Sequence, residues 1–223
     1  GFFDITKVEQ SLLLLNEKSS IPNLTATSVV INATNKPIPQ IKQPEFKSVL
    51  RTTNLKLAPE ISTPDGFINT NGEPITLEQF RGKKVVLLDI WTYSCINCQR
   101  TLPYLKEWDR KYRDKGLVIV GLHTPEFAFE RVLANVEKAV KDFGLEYPVV
   151  LDNDYSTWKA LGNNFWPRKY LIDLNGNIVY DHIGEGFYDE TERAIQEVLK
   201  VAAEVSIPEN ALVFNPDKIQ SPE

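Results

Sequence analysis

The run Lys84-Val85-Val86-Leu87-Leu88-Asp89-Ile90-Trp91 is followed almost at once by Cys95-Ile96-Asn97-Cys98. A stretch so continuously apolar is what a central strand needs when both of its faces are covered. Beyond the cysteines, Leu102, Leu105, Trp108 and Tyr112 recur at helical spacing through residues 100–115, so Cys95 lies at the first turn of a helix. A cysteine pair at the junction of a buried strand and a helix admits few folds. The pair is also all the cysteine the chain has. Two in 223 residues make no disulfide scaffold, and a bridge between them would close too short a loop to stabilise much. Such a pair is read as redox chemistry or as metal ligation.

The rest of the chain supplies an alternation of strands and helices. Thr76 and Gln79 form a capping-box pattern for a short helix that Gly82 ends. Residues 117–122 read as a second buried strand, 127–143 as a helix and 148–151 as a short strand. Strands over 169–173 and 177–181 flank Asn175-Gly176, a hairpin turn signal, and a helix over 190–205 closes the domain. This pattern specifies an α/β fold, with helices layered on a sheet. Residues 1–57 read differently, because Pro37, Pro39 and Pro44 interrupt any regular element there. They are taken as an N-terminal extension or arm, residues 58–205 as the domain, and residues 206–223, with Pro208, Pro216 and Pro222, as an irregular tail.

Composition removes several function classes. A hydrophobic fraction of 42% excludes disorder throughout. A balance of 25 Lys and Arg against 30 Asp and Glu, net −5, offers no basic face for nucleic acid. Apolar runs such as Leu12 to Leu15 are too short for a transmembrane helix, and no charged segment of a signal peptide precedes them. The chain starts at Gly1 and contains no Met. It is therefore expected to be a processed or excised piece, and the lack of oxidisable Met suits an oxidising compartment.

At the cysteines, position decides chemistry. Unpaired N–H groups and the helix dipole favour a thiolate at Cys95, the expected attacking group. Cys98, turned back into the helix end, is expected to resolve a mixed disulfide. Asp89 sits among apolar neighbours, so it is expected to be buried with a raised pKa and to exchange a proton with Cys98. On that reading Asp89→Asn slows resolution and raises thermal stability. His123 ends the adjacent strand and either faces the thiols or is a hydrogen-bonded turn histidine; Glu126 shares its loop. Cys95, Cys98, His123 and His182 nominally complete a tetrahedral metal set. The long intervals to both histidines favour redox over metal, and no metal site is assigned.

With those residues in view, the chain resembles the TlpA/ResA-type thioredoxin-like domains over residues 58–200. The likeness rests on Ala58-Pro59-Glu60, Leu77, Gly82-Lys83 and the strand-Trp-x-x-x-Cys-x-x-Cys pattern. Residues 91–100, His123-Thr124-Pro125-Glu126 and Trp166-Pro167 resemble more narrowly the DipZ-type branch. The resemblance implies a thioredoxin-like fold, a central mixed sheet flanked by helices. It also implies an extracytoplasmic, membrane-tethered thiol–disulfide oxidoreductase that reduces disulfide-containing client proteins. Electrons would come from a CcdA-like membrane partner, and no cofactor is implied beyond the Cys95–Cys98 disulfide.

Residue by residue, the resemblance makes Cys95 the attacking thiol, Cys98 the resolving thiol and Asp89 the buried acid. Trp91 would pack beneath the site and Pro103 would kink the helix. Pro167 would be a cis-proline that presents the Trp166 backbone to a client. Trp91, Trp166, His123 and Glu126 are the expected client contacts. One departure is Thr101, where ResA-type proteins carry a glutamate three residues after the second cysteine. Ile96-Asn97 places no cation between the cysteines, which favours a reducing couple, although Arg100 would oppose this if it folded back. The competing readings are a disulfide-introducing oxidase, a copper-carrying chaperone of the same fold and a binding module that works through the 1–57 arm.

Overall fold

The computed structural model describes residues 47–206, and of their side chains those of 47–204. Most of the expected N-terminal arm and the tail beyond Ser206 lie outside the described residues. Seven strands build one mixed sheet: β1 (Lys56–Leu57), β2 (Gly66–Ile68), β3 (Val85–Trp91), β4 (Leu117–His123), β5 (Val149–Leu151), β6 (Arg168–Ile172) and β7 (Asn177–Ile183). Their order is β1-β7-β6-β3-β4-β5-β2. The helices are α1 (Ile96–Tyr112), α2 (Leu133–Phe143), α3 (Ser156–Ala160) and α4 (Tyr188–Ser206).

β3 holds the centre, parallel to β4 and antiparallel to β6, with every residue buried. Its alternation sorts the two cores. Val85, Leu87 and Trp91 point to the face covered by Leu102 and Leu105 of α1, Val136 of α2 and Ile195 of α4. Val86, Leu88 and Ile90 point to the opposite face, where Ala58, Leu77 and Trp158 of α3 pack. With helices or loops on both sides, each position of β3 gains by being apolar, and Asp89 stands out as the exception.

Local boundaries differ from expectation in three places. β1 pairs with β7, and the Arg51 N–H bonds to the Val179 carbonyl. The sheet thus recruits residues from the stretch assigned to the arm, giving the edge of β7 a partner. The Thr76 hydroxyl accepts the Gln79 N–H, but the element it caps is only a 3-10 turn, Glu78–Phe80. The helix expected over 127–143 is broken. A 3-10 turn spans Ala128–Arg131, Val132 is extended, and α2 starts at Leu133. α1 keeps its expected apolar stripe and contains Pro103. It passes through a 3-10 turn, Arg113–Lys115, to Gly116 at φ +104°, where a side chain would be strained.

Candidate active site

β3 delivers the chain to Trp91, and a short turn carries it to Cys95, the N-cap of α1. The Cys95 sulfur accepts the Cys98 backbone N–H at 3.3 Å, satisfying one of the orphan donors of the helix start. Cys95 is partly exposed, Cys98 is fully buried, and both are free thiols. The hydrogen bond from the Cys98 thiol is the largest influence on Cys95. With the Cys98 and Asn97 N–H groups it outweighs burial and the nearby Glu126 charge, lowering the Cys95 pKa to about 6. Donating that bond, burial and the charges of Cys95 and Asp89 push Cys98 far upward, against one hydrogen bond at Thr92. One thiol is ready to attack at neutral pH, and the other must be deprotonated to act.

Asp89 is fully buried and its pKa is raised, because burial outweighs the opposing pull of Lys169. Lys169 is the partner the sequence did not suggest. It stands across from Asp89 in the β3–β6 register, its Nζ 3.6 Å from Oδ1 and its side chain 1% exposed. On the other side Asp89 pairs with Gly121 of β4. A Cβ at Gly121 would come within 2.9 Å of Trp91 Nε1 and 3.2 Å of Val149, so glycine lets the indole lie over β4 beneath the site.

His123 takes the structural alternative. Its Nε2 accepts the Tyr93 N–H at 3.3 Å and lies as close to the Thr92 hydroxyl. Its ring stacks on Tyr93 and meets Trp91 edge-on. Burial lowers its pKa to about 4 despite the Glu130 charge, so the ring is neutral. Trp91 and His123 were both expected to touch a client, but each is 0% exposed. They shape the turn before Cys95 instead. Nor do the described residues contain any cluster of three or more His, Cys, Asp or Glu able to hold a metal; the nominal Cys95–Cys98–His123–His182 set is not brought together.

Glu126 is exposed and close enough for its charge to bear on Cys95. Its neighbour Glu130, unanticipated, is buried and accepts from the Ser94 hydroxyl and the Ser94, Glu126 and Phe127 N–H groups. Burial opposes its charge, but those donors and Thr92 prevail and hold its pKa below the usual range. Glu130 thereby fastens the loop after β4 to the turn that carries Cys95. This is why the expected helix breaks there.

The third wall is the Trp166–Pro167 segment, whose peptide bond is cis. The Trp166 indole donates to the Thr124 carbonyl at 3.0 Å, and the Gly184 N–H bonds to the Pro167 carbonyl. The Trp166 backbone makes no backbone hydrogen bond among the described residues. Ile96, Phe127, Phe129 and Phe165 are exposed apolar side chains on the three segments and the helix start around Cys95. Arg100 turns away, pairing with Glu185 at 3.3 Å. Thr101 is buried and donates to the Cys98 carbonyl, so it supplies no acid.

A partly exposed low-pKa thiol at a helix start and a buried second thiol, on a mixed sheet flanked by helices, define a dithiol site of thioredoxin-like fold. The chain belongs to the Redoxin family, which matches residues 24–199. It is 44% identical over 162 residues to Protein DipZ of Mycobacterium tuberculosis (strain CDC 1551 / Oshkosh), covering 72% of this chain and 23% of that protein. It therefore spans about a quarter of DipZ. It is 32% identical over 129 residues to thiol-disulfide oxidoreductase ResA of Bacillus thuringiensis, covering 58% of this chain and 69% of ResA. A thioredoxin family protein from Chlorobium tepidum TLS shares the fold, with a TM-score of 0.55 at 21% identity over 67% of this chain and 99% of that one.

Proposed function

We propose that this thiol–disulfide oxidoreductase works outside the cytoplasm as a reductant of client proteins. The Cys95 thiolate attacks a client disulfide, and Cys98 then attacks the Cys95 sulfur, releasing the client with both of its sulfurs reduced. The observation that carries this reading is the asymmetry of the pair: Cys95 is reachable with a pKa of about 6, and Cys98 is enclosed and held protonated. Asp89, whose charge bears on Cys98, is assigned the role of taking the Cys98 proton. The apolar rim and the Trp166 backbone, which has no backbone hydrogen bond among the described residues, suit an extended client segment that adds to the edge of the site.

Renewal of the dithiol is assigned to a CcdA-like membrane donor, and the outer face of a cell membrane is the proposed setting. Similarity to DipZ supports both. No described helix is long and apolar enough to cross a membrane. The deciding experiment is equilibration of the Cys95–Cys98 couple with glutathione at known ratios. A potential near that of thioredoxin, about −270 mV, is expected; one near that of DsbA, about −120 mV, would make the protein an oxidase.

A further inference from the structure

Glu126 is held at the mouth of the site by a chain of short bonds. Its N–H and that of Phe127 donate to Glu130 Oε2 at 2.6 and 2.8 Å, and Glu130 Oε1 accepts the hydroxyl of Ser94, the residue before Cys95, at 2.5 Å. Two residues the other way, the Thr124 carbonyl accepts the Trp166 indole at 3.0 Å. The loop is thus tied both to the turn that carries Cys95 and to the Trp166 segment. The Glu126 side chain is exposed, has no ion-pair partner among the described residues, and its charge reaches Cys95. Its charged neighbours are already committed. Glu130 is buried among its donors, Arg100 of α1 pairs with Glu185 at 3.3 Å, and Arg168 of β6 pairs with Asp181 at 2.6 Å. Arg131, further along the loop, bears on Tyr155 and is not among the influences on Cys95. The unspent charge beside the thiol is therefore negative, and it sits among rings. Phe127 and Phe129 are half-exposed and stacked at 5.4 Å, with Phe129 leaning on Tyr93. A carboxylate beside exposed ring faces suits a guanidinium or ammonium group, since the acid takes its N–H groups and a ring takes its face.

We propose that Glu126 determines specificity, selecting clients that carry an arginine or lysine within two residues of the attacked cysteine in an otherwise apolar segment. The proposal deepens the reductase reading above and rests on it. In the free protein Glu126 opposes the Cys95 thiolate. A client cation bound to Glu126 cancels that opposition at the moment of attack, whereas a client acid in the same place adds a further negative charge. In the step itself the Cys95 thiolate bonds to the client sulfur, the client disulfide breaks, and its other sulfur leaves with the electron pair as a thiolate. No proton moves at this stage, so the charge beside the sulfurs acts directly on the rate.

The test uses the reduced chain and three short peptides of sequence Gly-X-Cys-Phe-Gly with blocked ends, each dimerised through its disulfide, where X is arginine, glutamine or glutamate. In single turnovers at low salt the rate of attack should fall about threefold from arginine to glutamine and about threefold again to glutamate, the scale of exposed charge pairs. Added salt should draw the three rates together. Glu126→Gln should cut the arginine-to-glutamate ratio from about tenfold to about twofold, and Glu126→Asp should restore much of it. Equal rates for the three peptides, a ratio that Glu126→Gln leaves in place, or a ratio indifferent to salt overturns the proposal. Failure of the wild type to reduce any of the three would count against the reductase reading instead. The oxidised chain and the same peptides as thiols would then decide: the same order of rates upholds selection by Glu126, and its absence overturns it.

Discussion

Asp89→Asn tests the buried pair through stability, and here the structure reverses the sign expected from sequence. An isolated carboxyl in an apolar strand costs folding energy when ionised. Asparagine would then be the more stable residue at neutral pH. Lys169 changes the accounting, because the substitution leaves an ammonium buried with no counter-charge. Charges 3.6 Å apart attract by about 4–5 kcal/mol at an effective dielectric of about 20. Removing one partner of a buried pair typically costs about 3–5 kcal/mol. Urea unfolding of the reduced protein should therefore show Asp89→Asn about 3 kcal/mol less stable than wild type at pH 7. The pH dependence is equally specific. Were Asp89 an isolated acid, its raised folded pKa would place the cost on the wild type as pH rises through that value. A variant more stable than wild type at pH 7 would refute the pairing.

Alkylation of the reduced chain with iodoacetamide should label Cys95 with a midpoint near pH 6 and leave Cys98 unlabelled; Cys98→Ala should move that midpoint upward, since the Cys98 thiol is the largest stabiliser of the thiolate. His123 is neutral in the fold, with a pKa of about 4 against 6.5 when unfolded. The stability it contributes is therefore present above pH 6.5 and lost on the way down to about pH 4, a change of about 3 kcal/mol that His123→Asn should abolish. Glu130→Gln keeps the shape but loses charge-assisted bonds to Ser94, Glu126 and Phe127. It should cost about 1.5–3 kcal/mol in unfolding and slow insulin reduction without moving the Cys95 midpoint.

The parts of the site that sequence revealed are those with local signals. β3 announces itself because burial on both faces demands an unbroken apolar run, and α1 because its stripe repeats every three or four residues. Asp89 was conspicuous against that run. Lys169 was not, since a lysine at the first turn of a strand reads as a solvated end. Only the antiparallel register of β6 against β3 carries it under α1 and opposite Asp89. Glu130 was hidden for a different reason. Residues 127–143 have enough helical periodicity to pass as one helix, and the break appears only when the Glu130 carboxylate gathers donors from two separate turns. His123 and Trp91 were placed correctly at the strand ends. Their burial depends on Tyr93 and on the absent side chain of Gly121, contacts between strands that no single segment encodes.

The same geometry bears on the direction of electron flow. A couple is oxidising when its thiolate is stabilised so strongly that forming the disulfide sacrifices that stabilisation. The Cys95 pKa of about 6 lies nearer that of the thioredoxin nucleophile, about 7, than that of DsbA, about 3.5. The source of the shift matters as much as its size. Stabilisation comes from the Cys98 thiol and the first N–H groups of α1, with no cationic side chain among its causes. Arg100, the one nearby candidate in the sequence, is committed to Glu185. The cation that does lie under the site, Lys169, is matched by Asp89 and lends little net positive charge to either sulfur. An ionised Asp89 also disfavours a thiolate at Cys98, so the dithiol state gains little there from electrostatics. A site built this way is expected to give up its electrons readily, and this supports the proposed reducing direction.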